Sequence, residues 1–383
     1  FNFELQGPDI DEITAMLGID DLGGGGFDLR MGGAQVGDRY EADINGKIGD
    51  ISLNASAQTS DIETFREVDL TVAINGPSLG AVTGLFGVEN WPDKPFSVIA
   101  EAERVGSTVN IHDLTLNIGG TKLLLDALLT EFPTLEASRI KLVLSGEEVE
   151  QFHELLGIKG AATGPFNVNG NLSVSPKGVE LLQVDFNTSL GQAMLSGTLG
   201  DPPGYIGSKL DVHLDGGNAN SVMSALGIDM LPEKPFNLNA RVEVVEKGLV
   251  VERGVLATIE DERLEAGGFI SFEPGSQGTD IDLKIKGEHF AKVIRRHVGN
   301  IEVPDSPYEF SGQIRIEEGG IRLENLALGY EGINLETGGL IKLKDGLSGT
   351  VLDFTVNGED LSALKRFQFI GDSLDIVVPG QSY

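Results

Sequence analysis

The stretch Leu210 to Phe236, LDVHLDGGNANSVMSALGIDMLPEKPF, decides the fold, because the rest of the chain repeats its plan. Leu210, Val212 and Leu214 alternate with polar residues, as in a strand buried on one face only. Gly216 interrupts the alternation, a short helical pattern follows, Leu226-Gly227 closes it, and Pro235-Phe236 opens the next strand.

The interrupting glycine recurs at Gly7, Gly76, Gly146, Gly216, Gly287 and Gly358, at intervals of 69, 70, 70, 71 and 71 residues. The closing glycine keeps the same beat at Gly18, Gly87, Gly157, Gly227 and Gly299. Nine residues after each stands an aromatic: Phe27, Phe96, Phe166, Phe236 and Tyr308. Two connecting loops are near copies, WPDKPF from Trp91 and LPEKPF from Leu231. A fixed period of this length marks an array of units that stack on their neighbours instead of each burying its own core. The expectation is one continuous array over 1–383, with units 7–75, 76–145, 146–215, 216–286 and 287–357 and a partial unit 358–383. Phe1 falls inside a strand and Tyr383 where a new aromatic is due, so the chain reads as cut from a longer repeat.

Before each glycine the positions two, four and six residues upstream are apolar. They are Leu5, Phe3 and Phe1; Ile74, Val72 and Leu70; Leu144, Leu142 and Ile140; Leu214, Val212 and Leu210; Ile285, Leu283 and Ile281; and Val356, Phe354 and Leu352. Asp69, Thr71, Asp211, His213, Asp282 and Lys284 lie between them, so one sheet face is oily and the other wet. A one-sided stripe such as Val149, Phe152, Leu155 and Leu156, or Phe290, Val293 and Ile294, predicts a helix of about ten residues after the glycine. Its start is expected to be acidic or proline-bearing, as in Pro8-Asp9, Glu147-Glu148, Glu288 and Glu359-Asp360, which suits the positive end of a helix dipole. A helix this short must lie on an apolar surface, and the sheet offers one. From the aromatic onward the third unit spells three strands, 166–174, 178–188 and 192–199, separated by turn residues. The fifth unit repeats them with apolar residues at Ile321, Leu323, Leu326 and Leu328. The fold class is therefore mainly β with short helices. It is an elongated array of about 70-residue units, each with roughly four antiparallel strands and one short helix, forming a curved sheet or groove.

Of 383 residues, 59 are acidic and 28 basic, a formal charge of −31 that repels a phosphate backbone and argues against nucleic acid as a partner. The charge reads as a solubilising outer surface. Cysteine is absent, which removes disulfides and thiolate metal sites. No stretch reaches the roughly 20 apolar residues of a spanning helix, and no signal peptide is visible.

Catalytic chemistry finds no foothold. His112, His153, His213, His289 and His297 fall at unrelated places in the repeat and make no metal-ligand spacing. The run Gly23 to Gly26 is followed by neither G-K-S/T nor a nine-residue recurrence, so it reads as a flexible connection. No serine sits in a G-x-S-x-G elbow, the carboxylates are dispersed, and Trp91 is leucine in the similar loop at Leu231. The reading is not an enzyme, with no catalytic residues, no metal and no cofactor.

Four strands spaced about 4.8 Å and about 30 Å long present roughly 600 Å² of oily sheet, of which a ten-residue helix covers roughly 150 Å². The remainder either curls to cover itself or stays open as a trough for something apolar. The candidate lining residues are Leu70, Val72 and Ile74; Ile140, Leu142 and Leu144; Phe166 and Val168; Val184 and Phe186; Leu195; Leu210, Val212 and Leu214; Phe236 and Leu238; and Ile281, Leu283 and Ile285.

The repeat resembles that of the AsmA-like family, bacterial envelope proteins similar in design to the bridge-like lipid-transfer proteins built from repeating β-grooves. The resemblance covers the whole chain and rests on Ser145-Gly146-Glu147-Glu148, Leu156-Gly157 and Pro165-Phe166, and on Asn357-Gly358-Glu359-Asp360-Leu361. Departures are the glycine run at Gly23, Val298-Gly299 in place of L-G, and a three-residue longer spacing from Gly371 to Tyr383. The resemblance implies a periplasmic rod tethered to the inner membrane by a segment outside this chain. Its sheet would shield phospholipid acyl chains moving between inner and outer membrane, in support of outer-membrane biogenesis. Envelope protein partners are left open. The alternative is a structural or adhesive β-array with a self-covered core and no lipid.

Stacking alone predicts a rod roughly 95 Å long from five units of four strands. Small-angle scattering checks it, and a radius of gyration typical of a single compact domain would contradict the array.

Overall fold

The computed structural model describes residues 1–10, 25–79, 94–132, 134–152, 163–176, 178–201, 204–224, 232–297, 303–342 and 349–358. The closing glycines, Trp91, Leu231 and His153, and the segments 11–24 and 359–383, lie outside them. The described chain is mainly β, and it divides into two compact units: Phe1–Asp201 with Leu214–Glu233, and Pro202–His213 with Lys234–Tyr383.

In the first unit an antiparallel meander runs β1 (Asn2–Gly7), β2 (Phe27–Val36), β3 (Arg39–Ile48), β4 (Ile51–Thr59), β5 (Glu67–Gly76) and β6 (Phe96–Val105). It continues through β7 (Thr108–Ile118), β8 (Thr121–Leu129), β9 (Ser138–Gly146), β10 (Phe166–Ser175), β11 (Gly178–Thr188) and β12 (Gly191–Leu199). Strand β13 (Lys209–Gly216) spans the division between the units. The second unit contains β14 (Phe236–Val245), β15 (Gly248–Ile259), β16 (Glu262–Ser271) and β17 (Asp280–Gly287). Then come β18 (Tyr308–Glu317), β19 (Gly320–Tyr330), β20 (Ile333–Lys342) and β21 (Val351–Gly358), again antiparallel and consecutive. Two short helices are described, α1 (Ala219–Ser224) and α2 (Phe290–His297), and a 3-10 turn at Val149–Phe152. The expected helix after Gly146 thus opens as a 3-10 turn. The acidic residues precede α2 and are absent from its first turn.

The repeating glycine does not break its strand. It is the last paired residue, facing the aromatic of the next strand as Gly7↔Phe27, Gly76↔Phe96, Gly146↔Phe166 and Gly287↔Tyr308. The ring lies across the glycine. A Cβ at these positions would stand 2.5, 2.8, 2.6 and 2.5 Å from a ring carbon, closer than any real contact. Glycine is required there by close approach, not by an unusual backbone angle. All five openers, Phe27, Phe96, Phe166, Phe236 and Tyr308, are buried. So is the third residue after each glycine: Ile10, Leu79, Val149, Ala219 and Phe290. That residue starts the crossover and closes over the aromatic. Leu79 packs with Phe96, Leu116 and Ile118, Val149 with Phe166, and Phe290 with Tyr308 and Tyr330. Burying each large side chain of this kind stabilises by about 1.5–3 kcal/mol, so this band carries much of each unit's core.

At the opposite strand ends, hydroxyls hold the long connections. Ser138 Oγ accepts the Thr130 amide, Thr279 Oγ1 the Ser271 amide and Thr350 Oγ1 the Lys342 amide, each at 3.0 Å. In each case the hydroxyl lies eight residues after its donor, and Ser138 and Thr279 are buried.

The middle strand of each later repeat carries a bulge. The register shifts between Ile111 and Leu114, Leu181 and Val184, Val251 and Val255, and Leu323 and Leu326. The β2–β3–β4 pairings have no such shift. Asp113, Gly254 and Asn325 take positive φ values of 50, 104 and 52° there, conformations that aspartate, glycine and asparagine tolerate. Each bulge bends its strand and increases the local twist.

Gly146→Ala should cost about 1–3 kcal/mol in urea unfolding, because its methyl meets both Phe166 and Thr121 Oγ1. The loss should shrink in the Phe166→Leu background, where no ring fills the space; a neutral Gly146→Ala would show that ring and glycine are not coupled.

Candidate functional site: the helix-bearing sheet face

Cross-strand register assigns the apolar residues to one face within each unit. In the first unit Leu125, Leu142 and Gly170 form one rung and Ala127, Ile140 and Leu172 the next. Val184 and Leu195 extend the first of these rungs, and Phe186 and Ala193 the one nearer the aromatic. Leu70, Val72 and Ile74 pair with Ala57, Ala55 and Leu53 on the same face as Phe96. In the second unit Leu238 faces Ala257, and Ile281, Leu283 and Ile285 face Ile314, Gly312 and Phe310. Leu210, Val212 and Leu214 alternate along β13 with Asp211 and Asp215. Every expected lining residue therefore points to the same side of its strand as the buried aromatics.

Burial divides this face in two. Phe166 and Phe236 are buried in the glycine–aromatic band, while Val72, Ile74, Ile140, Leu142, Leu144, Val168, Val184, Phe186, Leu195, Leu210, Val212, Leu214, Leu238, Ile281, Leu283 and Ile285 are only half buried. Leu70 stays 38 % exposed. A second sheet packed on these rungs would bury them as fully as the aromatics. Among the described residues the face is thus buried at the aromatic end and only partly buried over the rest.

The other face is ionic. In the second unit Arg241 bonds Asp211 at 2.8 Å and Glu252 at 3.3 Å, and Glu309 receives Lys284 and Lys286 at 2.6 and 3.0 Å. Arg315 bridges Asp280 and Glu324, and Arg322 holds Glu317. The lysines hold the Glu309 carboxyl below its usual range, and Arg322 does the same for Glu317. Such exposed pairs contribute little stability each, and they keep this face wet.

A polar cluster lies on the helix-bearing side, and nothing in the residue pattern signals that its members converge. Glu262 occupies the position held by Ile51, Thr121, Gly191 and Ile333 at the start of β4, β8, β12 and β20. It meets Arg296 of α2 at 3.4 Å, the two side chains being 18 and 25 % exposed. Lys292 meets Asp261 at 3.4 Å, and His289 lies 2.7 Å from Asp305 and 3.3 Å from Asp261. Thr121 is the counterpart of Glu262 in the first unit and accepts a bond from Gln151 of the 3-10 turn. These contacts dock the crossover on the sheet. Among the described residues no group of three or more His, Asp or Glu side chains forms a metal site, and no helix is long and apolar enough to cross a membrane.

No protein-family model, curated protein or solved structure matches the chain.

Burial first, and then the Glu262 carboxylate, raises the Tyr308 phenol above its usual 10.0. The fold therefore favours the neutral phenol, and this contribution is complete below about pH 10 and lost as pH rises through the raised value. Thermal unfolding midpoints should fall between about pH 9 and 11 by more in the native chain than in Tyr308→Phe, which keeps the ring and removes the titration.

Proposed function

We propose that the helix-bearing face is an open apolar trough that shields phospholipid acyl chains, and that the chain is a segment of a lipid conduit. The observation that carries the reading is the half-buried state of the lining rungs beyond the aromatic band in both units. Bare aliphatic surface of this extent is costly in water, and an acyl chain lying on it offsets that cost at about 25 cal/mol per Å². The acidic, ion-paired outer face suits an aqueous exterior and opposes nucleic acid. With the AsmA-like resemblance as guide, the setting is the periplasm, the cargo phospholipid moving between inner and outer membrane, and the anchor an inner-membrane segment outside this chain. The face has no need of catalytic groups, metal or cofactor for this task.

Strand alternation supplies the test. Val212 lies on the trough side and is half buried, whereas Asp211 faces the other way and pairs with Arg241. A photo-crosslinking residue in cells should capture phospholipid at Val212 and not at Asp211, and likewise at Leu142 and not at Lys141. An unpaired carboxylate from Val212→Asp costs several kcal/mol against an acyl chain, so lipid transfer should drop while the fold survives. Equal capture on both faces, or unfolding of Val212→Asp with no lipid captured at either site, would instead favour a self-covered structural array.

A further inference from the structure

The end of the trough away from the aromatic band is aliphatic in the later repeats. There Val174, Val179 and Leu199 form one cross-strand rung, Val244, Leu249 and Ile270 the next, and Ile316, Ile321 and Ile341 the last. The corresponding rung at the start of the chain is Gln35, Tyr40, Thr59, Val68 and Arg104. Arg104 stands eight residues after Phe96, as Val174 does after Phe166, Val244 after Phe236 and Ile316 after Tyr308. It points to the trough side, half buried, while Glu101 and Glu103 alternate to the outside. Its Nε donates to the Gly106 carbonyl at 3.1 Å, and among the described residues it makes no ion pair. Arg104 and Glu262 are the two charged strand side chains on this face among the described residues, and Glu262 is matched by Arg296.

The floor beside Arg104 is unusually low. On the two rungs next to the polar rim stand Ala42, Ala57 and Ala102, beside Leu70, and Ala55 and Ala100, beside Met31, Ile44 and Val72, while the Phe1 ring lies over Gly33; the same two rungs of β7 to β11 are aliphatic except for Ala127 and Gly170. Leu70 stands among these small residues and is exposed.

We infer that this place is a headgroup site: Arg104 binds the phosphate of a glycerophospholipid whose acyl chains lie on the shallow alanine floor. A guanidinium carries a fixed fork of donors that matches phosphate, and its strength rises beside an apolar, water-poor surface. Tyr40 puts a further hydroxyl on the same rung, roughly 14 Å from Arg104 at about 4.8 Å per strand, within the span of a headgroup and long side chains, while the Thr59 hydroxyl is engaged, donating to the Glu67 carbonyl at 2.6 Å. The later strands of the first unit, aliphatic at Val174, Val179 and Leu199, offer chains a path and the phosphate no partner. Lipid thus enters or pauses at the first repeats and slides along the later strands of the same unit. The inference rests on the trough reading, and the experiment separates the two.

The full chain is incubated with vesicles of phosphatidylethanolamine and phosphatidylglycerol, and separately with diacylglycerol of the same acyl chains dispersed in detergent, and bound lipid is counted by native mass spectrometry. Phospholipid should bind about tenfold better than diacylglycerol, one charge-assisted contact's worth. Arg104→Val should erase that preference, leave diacylglycerol binding unchanged, and fold normally, since valine is the residue of two later repeats. Arg104→Lys should keep part of the preference. Inorganic phosphate at millimolar concentration should not compete; competition would reduce the site to a free-anion site and overturn the headgroup assignment. Equal binding of both lipids by the native chain, or a preference that survives Arg104→Val, overturns the role of Arg104 and leaves the trough standing. Failure to bind either lipid overturns the trough itself.

Discussion

An aromatic ring laid across a glycine of the neighbouring strand holds this fold in its shape. The ring of Phe27, Phe96, Phe166 or Tyr308 takes the volume a side chain would fill at its glycine partner, and the crossover that joins the two closes over it. An antiparallel meander has no intrinsic reason to hold helices on one of its faces. The glycine makes the depression, the ring fills it and offers an apolar top, and the third residue after the glycine lands there. Because the ring and the glycine are paired in register, the contact also fixes strand alignment, since a slip of one residue would turn the ring to the opposite face.

Much of this is legible in the sequence. Strict alternation before each glycine identifies the strands and their apolar side, and the aromatic beat locates the start of the next strand. The role of the glycine is not legible, because a glycine after alternating residues reads locally as a stop, and its partner lies about twenty residues away. The bulges do leave a trace: the step from Leu323 to Leu326 spans three residues where alternation asks for two, as do the steps from Ile111 to Leu114 and from Leu181 to Val184. The hydroxyl clasps at Ser138, Thr279 and Thr350 share the period but not the residue type, and serine and threonine in a loop draw no notice.

The two charged residues on the apolar side show the limit of reading by pattern. Arg104 and Glu262 each occupy one position in a long periodic list, and a single departure is easily taken as noise. Register changes their weight. Glu262 acquires Arg296 from α2 and becomes part of a docking contact, whereas Arg104 remains beside a carbonyl, on an uncharged polar rung at the edge of an apolar face. The difference between a matched and an unmatched charge is electrostatic, and only the cross-strand neighbours reveal it.

The meander order also governs how such a chain comes to be folded. Within each unit every strand pairs with the one before it and the one after it in sequence, so partners such as Val174 and Val179, or Ile316 and Ile321, close only a short loop. Contacts this local keep loop-closure entropy small at each hairpin, and the crossovers from glycine to aromatic raise it only slowly with their length. The sheet can grow strand by strand as the polypeptide emerges, each finished repeat serving as the template for the next, and an error in one repeat is confined to its immediate neighbours.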